Sequence, residues 1–403
     1  MHKKKVILTF IGYYLPGYKS GGPVRTISNM LDLLGKDYNF KIITRDRDSL
    51  DSKPYEGINI NQWNDAEKCK IYYLSKHKSF LFTRNQAQST KNKLTNPQSL
   101  RTVINNTEFD QYYLNSLFDF NFSVKVVLLW KLKLIPQKPI LLAPRGELME
   151  GALSIKPFKK GLFLTFTKVL RLYKTITWHA SSKYEEAEIK REFGNVTKVK
   201  IAMDIPDFNL PKVERTHKKE KGKLKILFIS SITPKKNLLF VIDTLNKVEG
   251  DFTLDIYGPV KDEKYWRKCL NSISDRIKDR ITYKGVIPND KIHTVYPNYD
   301  LFFFPTLGEN FGHVIYESLY YGTPVLCSDQ TPWDKLEEFG AGWHFKLDQQ
   351  KSFVDKIEKL IGDDIKEFND FIKGCFDYIS FIKSNNLLSN NINIFYNFFE
   401  TSE

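Results

Sequence analysis

Short apolar runs of strand length alternate along this chain with longer amphipathic stretches, and that alternation constrains the fold more than any other feature. Parallel strands need a crossover of a dozen or more residues between them, usually a helix. The pattern therefore predicts parallel sheets with packed helices. Strand-like runs in the first half are Lys5–Ile11, Phe40–Thr44, Gln111–Leu114, Pro139–Ala143 and Thr175–Ala180. In the second half they are Leu224–Ile229, Thr253–Tyr257, Ile281–Gly285, Leu301–Pro305 and Pro324–Cys327. A chain of 403 residues, 41% hydrophobic and 14% aromatic, has material for two cores and is long for one. The prediction is a doubly wound α/β unit over 1–205, a Pro- and charge-rich linker over 206–223, and a second such unit over 224–380. The stretch 381–403 reads as one last amphipathic helix, returning to the first unit.

The charge balance is 61 basic against 47 acidic residues, a net +14. Two readings fit it: partners that carry phosphate, or a compositional bias visible in the abundance of Lys, Asn and Ile. Cys69, Cys269, Cys327 and Cys375 stand far apart with no CxxC or Cys/His cluster, which excludes a zinc motif and a disulfide framework and suits a reducing cytoplasm. The opening MHKKKVILTFIGYYLPG has too short an apolar core for a signal peptide and reads as a first buried strand. VVLLWKLKLI at 126–135 is too short, and too often broken by Lys, to span a bilayer. The expectation is a cytoplasmic protein, soluble or peripheral on the inner face of the plasma membrane.

In doubly wound sheets ligands bind outside the carboxyl ends of the strands. The stretch LFFFPTLGENFGHVIYESLYYGTPVLCSD (301–329) reads strand, loop, helix, loop, strand. Gly308 and Gly312 allow tight turns beside a ligand. A helix from about His313 to Tyr321 would stop at Gly322 and Pro324. Its N-terminal amides form a ready diphosphate site. Glu309 and Glu317 are eight positions apart, about 12 Å along a helix. Glycosidase carboxylate pairs stand roughly 5–9.5 Å apart, so separate roles fit better than a hydrolytic pair. The bland reading is a solvated loop glutamate and a helix-surface glutamate; the glycine, proline and strand context argues against it.

EN-FG-HVIYESLYYGTPVL resembles the hallmark of family 4 retaining glycosyltransferases of the GT-B fold, also called glycosyl transferases group 1. In that hallmark Glu, seven residues and Glu precede a small-residue turn and Pro-Val. YYLPGYKSGGPVRTISNM (13–30), WHASSKYEEAEI (178–189) and FISSITPKKN (228–237) extend the resemblance over almost the whole chain. It implies two Rossmann-like domains facing across a cleft, the first binding the acceptor and the second a nucleotide-diphosphate sugar. Transfer would be front-face with retention and metal-independent, with no cofactor beyond the donor. The resemblance is close to bacterial surface-polysaccharide transferases.

Matched residue by residue, the resemblance implies Glu309 and Lys236 as catalytic. Glu309 would meet the sugar with the Asn310, Phe311 and Gly312 backbone, and Glu317 the ribose. Lys236 would offset charge on the departing diphosphate. Gly21 and Gly22 would let backbone approach the donor. Ser231, Gly258 and Val286, each after a second-half strand, complete the donor-binding set. Arg25, Asn115 and Arg145 form the acceptor set. Three positions depart from the pattern: Ser231 stands where an Arg is usual, Asn115 where many relatives carry His, and IAMDIP (201–206) where Pro-Asn-Gly is common. Lys235 and Arg25 are the cations able to substitute at Ser231.

Other functions compete. A nucleotide-sugar epimerase or phosphorylase shares the scaffold, and a catalytically weak glycan-binding relative agrees with Ser231. A nucleic-acid-binding protein is disfavoured because the charge is spread and the aromatics lie in strand-like runs. No G-x-G-x-x-G follows the first strand, which disfavours a dehydrogenase. KPFKKGLFLTFTKVLRLYK (156–174) interleaves cations with apolar residues. It is either an ordinary helix with a basic outer face or one that lies on an anionic membrane, where a lipid-linked acceptor would be found. Asp46-Arg47-Asp48 spells a DxD, the metal–diphosphate ligand of the other large glycosyltransferase fold, but its place after KIIT in the first half reads as a solvated loop. Transfer activity is therefore expected to survive EDTA; its loss on chelation and return with a divalent cation would reject that reading.

Overall fold

The computed structural model describes residues 4–17, 19–49, 51–75, 99–154, 157–195, 197–384 and 387–396. The chain divides into two compact units. The first comprises Met1–Leu148, Lys156–Ile205 and Leu388–Glu403; the second comprises Met149–Ile155 and Pro206–Leu387.

Strands β1 (Lys5–Ile11), β2 (Tyr38–Arg45), β3 (Trp63–Asp65), β4 (Lys70–Leu74), β5 (Gln111–Asn115), β6 (Ile140–Ala143), β7 (Thr177–Ala180) and β8 (Val199–Ile201) build the first sheet. Their order is β3-β4-β2-β1-β5-β6-β7-β8. Every pairing in it is parallel except the β3–β4 edge. Helix Gly22–Leu34 starts after Gly21, whose φ of 74° suits glycine, and carries a proline in its first turn. It buries Val24, Ile27, Leu31 and Leu34 at helical spacing.

The second sheet holds β9 (Lys223–Ile229), β10 (Asp251–Tyr257), β11 (Ile281–Gly285), β12 (Leu301–Phe304), β13 (Val325–Ser328) and β14 (Gly342–Phe345). Its order is β11-β10-β9-β12-β13-β14, parallel throughout. Strands covered on both faces read as continuous apolar runs, and Leu301–Phe304 is wholly inaccessible. Both sheets follow the doubly wound order of nucleotide-binding folds.

The stretch expected to be a free linker is packed on the second unit. Arg215 donates to the carbonyls of Gly322 and Tyr299 and to the Thr323 hydroxyl. His217 pairs with Asp300 at 2.8 Å, and the Lys219 ammonium reaches the carbonyls of Ile361 and Asp363. Charged residues in low-periodicity sequence thus serve as internal anchors.

The expected single helix over 381–403 is also corrected. Helix Ile365–Ser384 belongs to the second unit, and the return to the first begins with helix Leu387–Tyr396. There Asn391 donates to the Met203 carbonyl at 2.9 Å. The Phe395 ring lies 5.5 Å from Tyr38, 6.2 Å from Phe40 and 5.3 Å from Tyr113. Truncating Phe395→Ala is expected to destabilise the first unit by about 3–5 kcal/mol, the cost of an aromatic cavity. Amide exchange should show lost protection in β1, β2 and β5, with β9 and β12 unaffected.

Candidate functional site

The strand order reverses between the parallel neighbours β9 and β12 in the second sheet. β9 leads on to β10 at one side, and β12 leads on to β13 at the other. In doubly wound sheets the loops at the carboxyl ends of two such strands are the usual place for a ligand. The β9 loop carries Ser231 and a short turn, Pro234–Lys236, closed by Asn237 at φ 60°. The β12 loop carries Pro305 to Gly312.

Backbone hydrogen bonds fasten the two loops. Leu307 N–H donates to the Lys235 carbonyl at 2.8 Å, and the Asn237 amide donates to the Pro305 carbonyl at 2.9 Å. Glu309 N–H donates to the Gln330 carbonyl at 2.9 Å. Thus held, the Lys236 ammonium pairs with a carboxylate oxygen of Glu309, which also accepts from the Thr306 hydroxyl at 3.2 Å. The same ammonium lies 5.4 Å from the Phe304 ring centroid. Burial pushes the Glu309 carboxyl up. The Lys236 and Lys235 charges, with the hydrogen bonds from Lys236 and Thr306, outweigh it and hold the carboxyl below the ordinary range. Glu309 is therefore an anion with its counter-cation already in contact.

Gly312, at φ 82°, caps helix His313–Tyr320 without a side-chain hydrogen bond. Glu317 lies in that helix, nearly inaccessible, and accepts from the Tyr296 hydroxyl at 3.2 Å. Phe311 points into the core, its ring 5.4 Å from Trp333 and its carbonyl accepting from the Trp333 indole. The Phe311 carbonyl is thus committed inside the unit. Gly258 meets a packing demand: a Cβ there would fall 1.9 Å from the Ser230 carbonyl oxygen, and φ is +134°. Its N–H donates to the Gly285 carbonyl, and Ser230 N–H to the Tyr257 carbonyl. Val286, next along, is exposed.

In the first unit the expected acceptor residues sit in a closed network. Arg145, at φ 57°, is buried and pairs with Asp204, while its Nε and Nη2 donate to the Asn115 carbonyl oxygen at 3.1 and 2.8 Å. Nη2 also donates to the Tyr113 hydroxyl at 2.6 Å. Asn115 is buried too and donates to the Phe10 carbonyl at 3.3 Å. Arg145 and Asn115, expected to meet an acceptor, are both engaged by partners within their own unit. Arg25 lies half-buried in helix Gly22–Leu34.

His179 completes this network. Nε2 lies 2.8 Å from the Ala202 carbonyl, which only accepts, so Nε2 carries the proton and Nδ1 accepts from Tyr113 O–H at 2.8 Å. Burial and the Arg145 charge lower the imidazole to about 4, against the opposing pull of Asp204. Glu185 accepts from the N–H groups of Gly146 and Ser181 and from the Ser181 hydroxyl, so the H-x-S-S-x-x-E element anchors a strand end.

Residues 211–374 match the family model for glycosyl transferases group 1. The matched stretch lies within the second unit. An uncharacterised 41.2 kDa protein in the cps region of Klebsiella pneumoniae is 23% identical over 278 residues, 66% of this chain and 72% of that protein. The fold is GT-B. Sucrose-phosphate synthase from Thermosynechococcus elongatus superposes with a TM-score of 0.69 at 13% identity over the whole of both chains. HepE from Anabaena, solved in complex with UDP and glucose, superposes with a TM-score of 0.64 at 14% identity over 97% of this chain and 98% of that one.

Within the matched stretch the structure joins Lys236 to Glu309 and leaves Glu317 on a separate hydrogen bond to Tyr296. Thr306, which supports Glu309, was not in the expected site, and Lys235 was expected there only as a substitute cation at Ser231. The signal for Thr306 was its place immediately past an apolar strand, in LFFFPT. The DxD of the first unit is corrected as well. Asp46 and Asp48 are buried, Asp46 pairing with Arg47 and Asp48 accepting from the N–H groups of Lys19 and Ser49.

The lowered His179 value fixes a pH dependence. Its folded pKa lies below the ordinary 6.5, so the unfolded chain binds more protons between about 6.5 and about 4. The stability that neutral His179 supports is complete above that window and is lost as pH falls through it. Burial raises Glu147 and Glu185, which act in the opposite sense. A difference measurement therefore isolates the histidine. His179→Gln should remove on the order of 1–3 kcal/mol of the acid-side loss, read as denaturant midpoints at several pH values. Parallel midpoint curves for the two proteins would reject the assignment.

Proposed function

We propose that this glycosyltransferase moves a sugar, with retention and without a metal, from a nucleotide-diphosphate donor to a glycan or lipid-linked acceptor in surface-polysaccharide biosynthesis. The observation that carries the reading is the Lys236–Glu309 ion pair held by the β9 and β12 loops, with the Gly312-capped helix start a few residues on. A donor diphosphate over that helix start would meet backbone N–H groups and the positive end of the helix dipole. Lys236 is placed to shift from Glu309 toward the phosphate as charge develops on the leaving group, which stabilises the transition state more than the ground state. With Lys236 so engaged, the Glu309 carboxylate faces the sugar. Glu317, already a hydrogen-bond acceptor for Tyr296, fits the ribose.

In the transfer itself the anomeric carbon–phosphate oxygen bond breaks and a bond to the acceptor oxygen forms on the same face. The acceptor proton leaves with the departing diphosphate. Lys235 supports the tolerance of Ser231 where an arginine is usual, since its charge already lowers Glu309. UDP and glucose in the HepE structure make uridine donors the first to try. The cps-region relative supports the polysaccharide setting.

A thermal-shift screen of nucleotide-sugars tests donor binding; a donor at a hundredfold excess over its Kd adds about 2.7 kcal/mol of stability. With the donor found, Glu309→Ala and Lys236→Ala are each expected to lower kcat on the order of 10²–10³-fold. Glu317→Ala should act mainly on donor KM. Unchanged transfer in both glutamate variants would reject the mechanism, and a product of inverted anomeric configuration would reject retention.

A further inference from the structure

Helix Pro157–Val169 turns its apolar side outward. Phe158, Leu162, Phe166 and Val169 recur at helical spacing along one face, and they are 83%, 64%, 51% and 75% exposed. Leu170, just past the helix end, is 51% exposed. The buried positions of the helix are Leu164 and Thr167 on the opposite side. A surface helix of a globular protein ordinarily does the reverse, and a contiguous exposed apolar stripe marks an interaction site.

The rim of the stripe says what covers it. Lys159 and Lys168 flank it within the helix, and Arg171 and Lys174 follow in the next turns, all exposed. No Asp or Glu stands between Glu150 and Glu185. Lys168 reaches Glu192, and Lys160 lies 5.0 Å from the Phe118 ring centroid. A second copy docked by a two-fold axis would set this cationic rim against itself. An anionic bilayer would take the side chains of Phe158, Leu162 and Phe166 among its acyl chains and the ammonium groups among its headgroups.

We propose that helix Pro157–Val169 lies in the plane of a membrane surface rich in anionic lipid and docks the protein there through Phe158, Leu162, Phe166 and Val169. No helix among the described residues is long and apolar enough to cross a membrane, so attachment through this face is interfacial. The inference does not depend on the reaction proposed above.

Flotation of the full chain with phosphatidylcholine vesicles, with and without phosphatidylglycerol, tests it. Co-flotation is expected only with the anionic vesicles. Leu162→Asp with Phe166→Asp should cut it at least about tenfold without lowering the melting temperature, since both residues are exposed. Lys159→Glu with Lys174→Glu should cut it too, and added salt should weaken it. A polarity-sensitive dye on Leu162→Cys should shift to the blue on the same vesicles. No flotation with anionic vesicles, or flotation unchanged in the aspartate variant, would overturn the proposal. Equal binding to neutral vesicles would overturn its electrostatic part. A dimer in solution abolished by the aspartate variant, with no vesicle binding, would reassign the face to a second copy of the chain.

Discussion

The parallel pairing of β9 with β12 is the constraint on which the candidate site rests. It registers Leu301 with Ile226 and Phe302 with Leu227, deep in an inaccessible core. Because the chain leaves these two strands toward opposite sides of the sheet, their loops emerge side by side although some 70 residues separate them in sequence. Lys236 and Glu309 meet for that reason alone. Thr306 adds a local hydrogen bond to Glu309, and the register brings the two charges together. A buried lysine–carboxylate contact contributes little net stability, so its value here is positional. It keeps an ionised carboxylate and its counter-cation together at the ends of two adjacent strands.

The first unit uses buried charge differently. Arg145, Asp204, Asn115, Tyr113 and His179 form one hydrogen-bonded set beside the ends of β5, β6 and β7. The arrangement stiffens strand ends from which loops depart, and it tolerates no unmatched proton.

Much of the fold was legible because buried parallel strands are written as uninterrupted apolar runs; Leu301–Phe304 and Ile140–Ala143 show this well. Runs that are short or mixed escaped: Lys70–Leu74 carries two tyrosines, Val199–Ile201 has only three residues, and Gly342–Phe345 opens on glycine. The packed segment around Arg215 and His217 escaped because its partners, Tyr299 and Asp300, lie more than 80 positions away. At the site, the spacing of Glu309 and Glu317 was visible in the sequence, while the ion pair to Lys236 required the sheet order. Arg145 looked available because a strand-end arginine carries no mark of the aspartate it meets. For helix Pro157–Val169, periodicity showed two faces and could not show which one the protein keeps for itself.

The late return of the chain to the first unit has a consequence for biogenesis. Helix Leu387–Tyr396 supplies Phe395 to a cluster with Tyr38, Phe40 and Tyr113, residues made hundreds of positions earlier. On the ribosome the N-terminal sheet must wait with those rings uncovered until the whole second unit has been translated, while the second sheet already has all six of its strands. At typical synthesis rates of roughly 5–20 residues per second, that interval lasts on the order of ten seconds to a minute. During it the nascent N-terminal unit is a natural client for a chaperone, and the half of the protein made first is the half finished last.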